Sequence, residues 1–332
     1  MRAGLAAPLV GLLLLVPAPA LGHGFVSTPL DAWSALTAWT LEPHVILPVL
    51  LVALAYHWAV RTVNRLHPAS RVPRRRVWAW DAGLLVIIVA LESPIGTYDT
   101  TLFSVHMLQH MLLMMVAAPL LVLGAPVTLL LRVVRPEARQ RLIIPFLHSR
   151  PVRFVSHPVV AWLIFTGVAY GAHFSPLFDA ALVSDPIHIL EHVLFLTAGV
   201  LFWWVAIGVD PNPSRLGHGG RVFYMLIGMP WSSFLGLAIF SAPGVLYLHY
   251  TTPIRTWGPS PLSDQQVAGG LMWAGGDLVF LIAMVIAIAA WLRAEEAEGK
   301  RLDAQLDRAA AREAASTSTM AREAAGLGGD TG

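Results

Sequence analysis

Two pairs of histidines with helical spacing are the residues in this chain whose types and spacing most favour metal chemistry. His106 and His110 are four residues apart in one long apolar stretch, and His188 and His192 repeat that spacing in another. Residues four apart lie on the same face of a helix. Each pair can therefore offer two imidazoles to one ion, and neutral imidazole is the commonest metal ligand in proteins. Glu191 precedes His192 directly and can bind a metal or orient an imidazole.

Several other side chains are further candidate ligands for the same ion. Met107 and Met111 carry thioethers, which are soft ligands suited to Cu(I), although a methionine stripe in an apolar helix is more often packing. His44 opens the first apolar stretch and His249 lies in the last loop on the same side, positions where histidines commonly hydrogen-bond to solvent. His23 would become the N-terminal residue if a signal peptide were removed just before it, and could then bind copper through its amine and ring.

The composition and the length of the apolar blocks predict the elements that must position these residues. Hydrophobic residues make up 56% of the chain and charged residues 13%, and the apolar residues form blocks of about 20, the length that crosses a bilayer. We predict an all-α, polytopic membrane helix bundle with about seven transmembrane helices. The predicted spans are residues 44–60, 77–91, 102–123, 158–174, 187–209, 222–241 and 266–292.

The flanks of this bundle divide the chain into three parts. Residues 1–22 have the charged start, short apolar core and small residues of a signal peptide. Residues 23–292 form the seven-span domain, and residues 293–332 form a cytoplasmic tail that is partly disordered. The sequence contains no cysteine, which excludes disulfides, thiolate nucleophiles and cysteine metal sites.

The basic residues predict the orientation of the bundle. Of 22 lysines and arginines, 20 lie in residues 61–76, 127–157 and 210–221 or in the tail. Basic loops stay in the cytoplasm, so we predict an extracytoplasmic N-terminus and a cytoplasmic C-terminus in the plasma membrane of a bacterium. Basic residues that report topology in this way give no reason to expect a nucleic-acid partner.

This orientation places the two histidine pairs at a common depth, near the outer face. His173, at the outer end of the fourth span, joins them there. Ionisable residues inside a membrane are costly and are by default functional. We therefore predict a metal site made of His106, His110, His173, His188 and His192, with a buried polar network that fixes helix packing as the alternative.

Other acidic residues also lie in or near the spans, and three of them have an expected role. Glu92 ends the second span and Asp99 precedes the third, so either can neutralise a metal or cap a helix. Asp277 lies inside the seventh span, where we expect a hydrogen bond with a neighbouring helix.

Sequence blocks around these residues resemble the multi-span CtaG family of cytochrome c oxidase assembly factors, which serve caa3-type oxidases. One block runs from His106-Met107-Leu108-Gln109-His110 through Ala118-Pro119-Leu120 to Leu123-Gly124-Ala125-Pro126. Others are His173, the stretch from His188 to His192, and Asp264-Gln265-Gln266 followed by Gly269-Gly270 and Met272-Trp273. The resemblance covers most of residues 35–292. It implies a role in maturing haem–copper oxidases, in which copper delivery is thought to take part.

The favoured interpretation is an assembly factor without enzymatic activity that receives or passes copper at the outer face. Its expected partners are haem–copper oxidase subunits, an extracytoplasmic copper chaperone and the lipid bilayer. One alternative is a haem-binding protein in which histidines of the third and fifth spans are axial ligands. Another is a copper transporter, which would need ligands toward the cytoplasm, where the spans are poor in histidine and acid.

Overall fold

The computed structural model describes residue 26, residues 28–31, residues 33–252 and residues 255–327. Within these residues the regular secondary structure is entirely helical, which confirms the predicted fold class. The predicted signal peptide, residues 1–22, and His23 lie outside the described residues. The chain divides into two compact units, Met1–Met284 and Val285–Gly332, and all the candidate ligands belong to the first.

The helices follow one another with short connections. The α-helices are α1 (Ser34–Thr37), α2 (Pro43–Leu66), α3 (Arg74–Glu92), α4 (Pro94–Tyr98), α5 (Phe103–Met111), α6 (Ala118–Leu123), α7 (Pro126–Val133), α8 (Pro136–Ala138), α9 (Ile144–Leu147), α10 (Arg150–Val155), α11 (Pro158–His173), α12 (Pro176–Ala181), α13 (Asp185–Ile207), α14 (His218–Phe240), α15 (Pro261–Gly270) and α16 (Gly276–Leu327). Leu112–Ala117, Arg139–Ile143 and Leu271–Gly275 form π-helical turns, and Leu248–Thr251 is a 3₁₀ helix.

Six helical segments of the described chain are long and apolar enough to cross a membrane. They are Pro43–Leu66, Arg74–Tyr98, Phe103–Val133, Asp185–Ile207, His218–Phe240 and Pro261–Arg312. The predicted fourth span corresponds to α11, an apolar helix of 16 residues. That is roughly 24 Å of helix, shorter than a hydrocarbon core of about 30 Å. The count of seven spans and the orientation stay predictions.

Two prolines shape the third span. Pro119 follows the π-helical turn Leu112–Ala117, which accommodates a residue that cannot donate a backbone hydrogen bond. Ala125 precedes Pro126 and leaves the helix with a left-handed φ of 53°, a conformation that is uncommon for a residue other than glycine. Asp210 then accepts hydrogen bonds from the Val127 and Thr128 amides, at 3.0 and 2.7 Å, and so caps α7.

Helix α13 is the element that brings the two histidine pairs together. It packs against α11, against α6 and against the π-helical turn that continues α5. The approach is close at Gly199, where an added Cβ would lie 2.8 Å from the Met114 carbonyl oxygen and 2.9 Å from the Ala118 Cβ. Trp203 donates a hydrogen bond to that same carbonyl at 3.0 Å. These contacts hold α13 directly beside the segment that carries His106 and His110.

Candidate metal centre

A buried carboxylate from a distant part of the sequence fixes the start of α5. Asp264, on α15, accepts hydrogen bonds from the Phe103 amide at 2.7 Å and from the Ser104 hydroxyl at 2.5 Å. The Phe103 amide belongs to the first turn of the helix, whose N–H groups have no partner within the helix. Asp264 therefore sets where α5 begins and which way its histidines face.

His106, His110 and Glu191 form the first group of candidate ligands, called here the inner group. Their side chains are buried, and the Nε2 atoms of His106 and His110 lie 3.7 and 3.8 Å from Glu191 Oε2. These distances are too long for hydrogen bonds. Two ligands that each bind one ion at about 2.0–2.2 Å can lie up to roughly 4 Å apart. The spacing therefore fits a metal ion between the three side chains.

The inner group also has unused hydrogen-bonding capacity. Among the described residues, His106 Nε2, both ring nitrogens of His110 and both carboxylate oxygens of Glu191 are buried without a hydrogen-bond partner. Buried polar atoms in native proteins are nearly always paired. A bound cation would satisfy His106, His110 and Glu191 at once.

Tyr250 determines which nitrogen of His106 faces the inner group. Burial raises the pKa of the Tyr250 phenol, so the hydroxyl is protonated and donates to the Asp99 carbonyl oxygen at 3.0 Å. The same hydroxyl oxygen lies 3.3 Å from His106 Nδ1. Because its hydrogen is used on the carbonyl, the phenol accepts from Nδ1–H, and the neutral ring keeps a free lone pair on Nε2.

Asp99, His188 and His192 form a second group, called here the outer group. Their candidate ligand atoms all lie within 4.8 Å of one another, and His188 Nε2 is 3.8 Å from Asp99 Oδ2. The two groups are neighbours: the rings of His106 and His188 are 5.2 Å apart, centroid to centroid. Of the five histidines predicted to act together, four thus divide between two groups.

His173 lies beside the inner group and contacts a methionine. Its Nδ1 is 2.7 Å from the Ala169 carbonyl oxygen, which can only accept, so Nδ1 carries the hydrogen. Its Nε2 lies 3.1 Å from the Met107 sulfur. A neutral His173 ring therefore directs a nitrogen lone pair at a thioether. Both residues line a cavity whose lining also includes Met111, Met114, Met115, Met272 and His110.

The remaining predicted ligands lie elsewhere or outside the described chain. His44 Nδ1 pairs with Glu42 Oε2 at 3.0 Å, and His249 Nε2 lies 3.1 Å from the Thr100 carbonyl oxygen. The structure places neither histidine in the inner or the outer group. His23 precedes the first described residue.

The three acids follow the expected options. Glu92 accepts a hydrogen bond from the Glu42 amide at 2.8 Å and so caps α2. Asp277 accepts from Ser233 on the neighbouring α14 at 2.6 Å, which confirms the predicted interhelical hydrogen bond. Asp99 lies beside His188 and His192.

Sequence reasoning gave no role to Gln109, Tyr250 or Asp264, although two of them fall in the blocks quoted above. Gln109 lies between the two histidines of α5, and this position was the available signal. Tyr250 carries no comparable signal, because it reaches His106 from a loop 144 residues away.

Comparison with known proteins shows the family to which the chain belongs. The family model for the cytochrome c oxidase caa3 assembly factor (Caa3_CtaG) matches residues 54–294. The chain belongs to this family. The match includes both histidine pairs and confirms the resemblance drawn from the sequence blocks.

Mycobacterial proteins are among its relatives. Uncharacterized proteins of Mycobacterium bovis and Mycobacterium tuberculosis are each 31% identical to it over 294 residues, which is 86% of this chain and 44% of theirs. An uncharacterized protein of Mycobacterium leprae is 30% identical over 279 residues, 82% of this chain and 42% of its own. The chain thus spans less than half the length of these relatives. No solved structure matches it.

Proposed function

We propose that this membrane protein handles or delivers copper for the assembly of a haem–copper cytochrome c oxidase, at the outer face of the bacterial plasma membrane. The observation that carries the proposal is the inner group: two histidines and a glutamate, buried and close together, without hydrogen bonds at the atoms that face one another. Membership of an oxidase assembly family supports a cytochrome c oxidase as the protein that receives the copper.

The surrounding donors favour copper over harder cations. Imidazole binds copper well, and thioether sulfur selects Cu(I). His173 Nε2 and the Met107 sulfur lie 3.1 Å apart beside the inner group, so both kinds of donor are near an ion held by His110. A methionine-lined cavity next to imidazoles suits a cargo that is bound and then released.

The proposed role needs partners and no catalysis. Oxidase subunits would receive the metal, and an extracytoplasmic copper chaperone would supply it. The apolar side chains of Leu54, Trp58 and Phe223 are 68%, 63% and 62% exposed, as expected of helix faces turned toward lipid.

Metal analysis of the purified protein tests the proposal. Protein from copper-supplemented cells is expected to hold close to one copper, which His106→Ala/His110→Ala removes, and to show no Soret band. His57→Ala is the matched control, because His57 pairs with Asp81 at 2.9 Å outside both groups. The same variants are scored for oxidase maturation in a deletion strain, where only the double variant should fail.

Three results would contradict the copper proposal or its assignment to the inner group. A Soret band lost in the double variant would indicate haem instead. The stacking of the His106 and His188 rings, inclined by 24°, argues against those two as axial ligands of a haem between them. If the double variant retained copper, the inner group would not be the copper site. Full oxidase maturation without any metal binding would make the histidines structural.

A further inference from the structure

We propose that the outer group, Asp99, His188 and His192, is a second cation site that can be filled independently of the inner group. It shares no ligand with His106, His110 and Glu191, and the donor atoms within each group lie within 4.8 Å of one another. One carboxylate with two imidazoles is a nitrogen and oxygen donor set, which suits a divalent transition-metal ion such as Zn²⁺ or Cu²⁺.

Gln109 holds two of the outer ligands in position. Its amide nitrogen donates to the Ala90 carbonyl oxygen at 3.1 Å and to Asp99 Oδ2 at 2.9 Å. Because the carbonyl can only accept, the amide orientation is determined, and Gln109 Oε1 must accept from His192 Nε2–H at 2.8 Å. This hydrogen bond fixes the orientation of the neutral His192 ring. Hydrogen bonds of this kind orient metal ligands in known sites.

The position of the outer group suits an entry point. His192 is partly exposed, whereas the three members of the inner group are buried. The outer ligands line a surface pocket together with Glu42, His44 and Asp185. Acidic side chains at the rim of a pocket raise the local concentration of cations.

Transfer of a cation from the outer to the inner group requires that the two groups be neighbours, which they are. The His110 and His192 rings are 6.0 Å apart and the His106 and His188 rings 5.2 Å apart, centroid to centroid. An ion bound by the outer group would therefore have the imidazole rings of the inner group as its immediate neighbours. Only this transfer role rests on the proposed function, because the existence of the outer site is a matter of binding.

Zinc titration of the full-length protein in detergent tests the site, because Zn²⁺ is redox-inert and binds imidazole and carboxylate ligands, and Cu(I) bound beforehand occupies the inner group. Wild-type protein first loaded with one equivalent of Cu(I) is expected to bind about one further equivalent of Zn²⁺. Asp99→Asn should weaken zinc binding at least tenfold and leave Cu(I) in place. Glu191→Gln should lose Cu(I) and leave zinc binding unchanged. Asp179→Asn, which changes an exposed carboxylate of α12, should change neither.

His188→Gln is a second variant in case Asp99→Asn disturbs the Gln109 hydrogen bonds, and it should lose zinc in the same way. Zinc binding unchanged in both variants would overturn the second site. Parallel loss of Cu(I) and Zn²⁺ in either variant, with the protein still monodisperse, would show one shared site. If wild-type protein fails to load Cu(I), the titration is made on metal-free protein. The proposed function would then fail while the outer site is still tested.

Discussion

The role of a buried carboxylate depends on the groups around it, as Glu191 and Asp99 show. Both are almost fully buried, as are Asp264 and Asp210, yet the latter two accept hydrogen bonds from backbone amides. Those two acids hold helix starts in place. Glu191 instead faces imidazole nitrogens at 3.7 and 3.8 Å without a hydrogen bond, and this is the arrangement that a cation would complete.

Met107→Leu should lower Cu(I) affinity about tenfold or more, because it removes the sulfur that lies beside His173 Nε2. A methionine-to-leucine change nearly conserves volume and costs less than about 1.5 kcal/mol of stability, so the effect on binding should exceed the effect on folding. Competition with a chromogenic Cu(I) chelator gives the affinity, and X-ray absorption should lose its sulfur scatterer. Met225→Leu, equally buried at 2% exposure, is the control; equal losses in both variants would mean packing alone.

At the scale of elements, glycines decide which helices can approach one another. Gly236 on α14 and Gly269 on α15 meet back to back: a Cβ on Gly236 would lie 2.6 Å from the Trp273 amide nitrogen and 2.7 Å from the Gly269 carbonyl oxygen. Small residues allow such close contacts between helices in lipid. The contact also matters to the site, because α15 carries Asp264, which caps α5.

Gly236→Val should destabilise the protein by about 1–3 kcal/mol, because backbone atoms of the facing helix cannot move aside cheaply. It should also weaken copper binding through the displaced Asp264. Thermal unfolding followed by tryptophan fluorescence measures the first effect and metal content the second. Gly167→Val is the matched control, since a Cβ there meets nothing within 4 Å. Equal melting temperatures for the two variants would show that the contact does not matter.

At the scale of the whole molecule, the charge distribution predicts which side of the membrane each part of the chain faces, and with it the side on which the two groups lie. The basic loops all fall on the side predicted to be cytoplasmic. Asp99, His106 and His188 belong to the parts of the chain predicted to be near the other face. This is where an oxidase subunit would receive copper under the proposed function.

The absence of native cysteine allows the orientation to be measured directly. Val183→Cys, in the exposed turn between α12 and α13, should react with a membrane-impermeant maleimide in intact cells. Ala69→Cys, exposed in the basic loop after α2, should react only after the membrane is opened. Labelling of Ala69→Cys alone in intact cells would invert the topology and place both metal groups at the cytoplasmic side.

The sequence alone was enough to predict a membrane protein, helical segments and histidine pairs that share helix faces. Apolar blocks of membrane length and i,i+4 spacing are local properties, and both follow from the geometry of the α-helix. The family followed from blocks around the same residues, and the family match confirms it.

Tertiary structure alone decided how the histidines divide and which other residues join them. His106 and His110 meet Glu191, whereas His188 and His192 meet Asp99, and His173 turns to Met107 instead. The rotation and register of helices in lipid do not follow from an apolar pattern, because lipid is as apolar as the packed interface. They depend on close contacts such as Gly199 against Met114 and on caps such as Asp264, whose partners are distant in sequence.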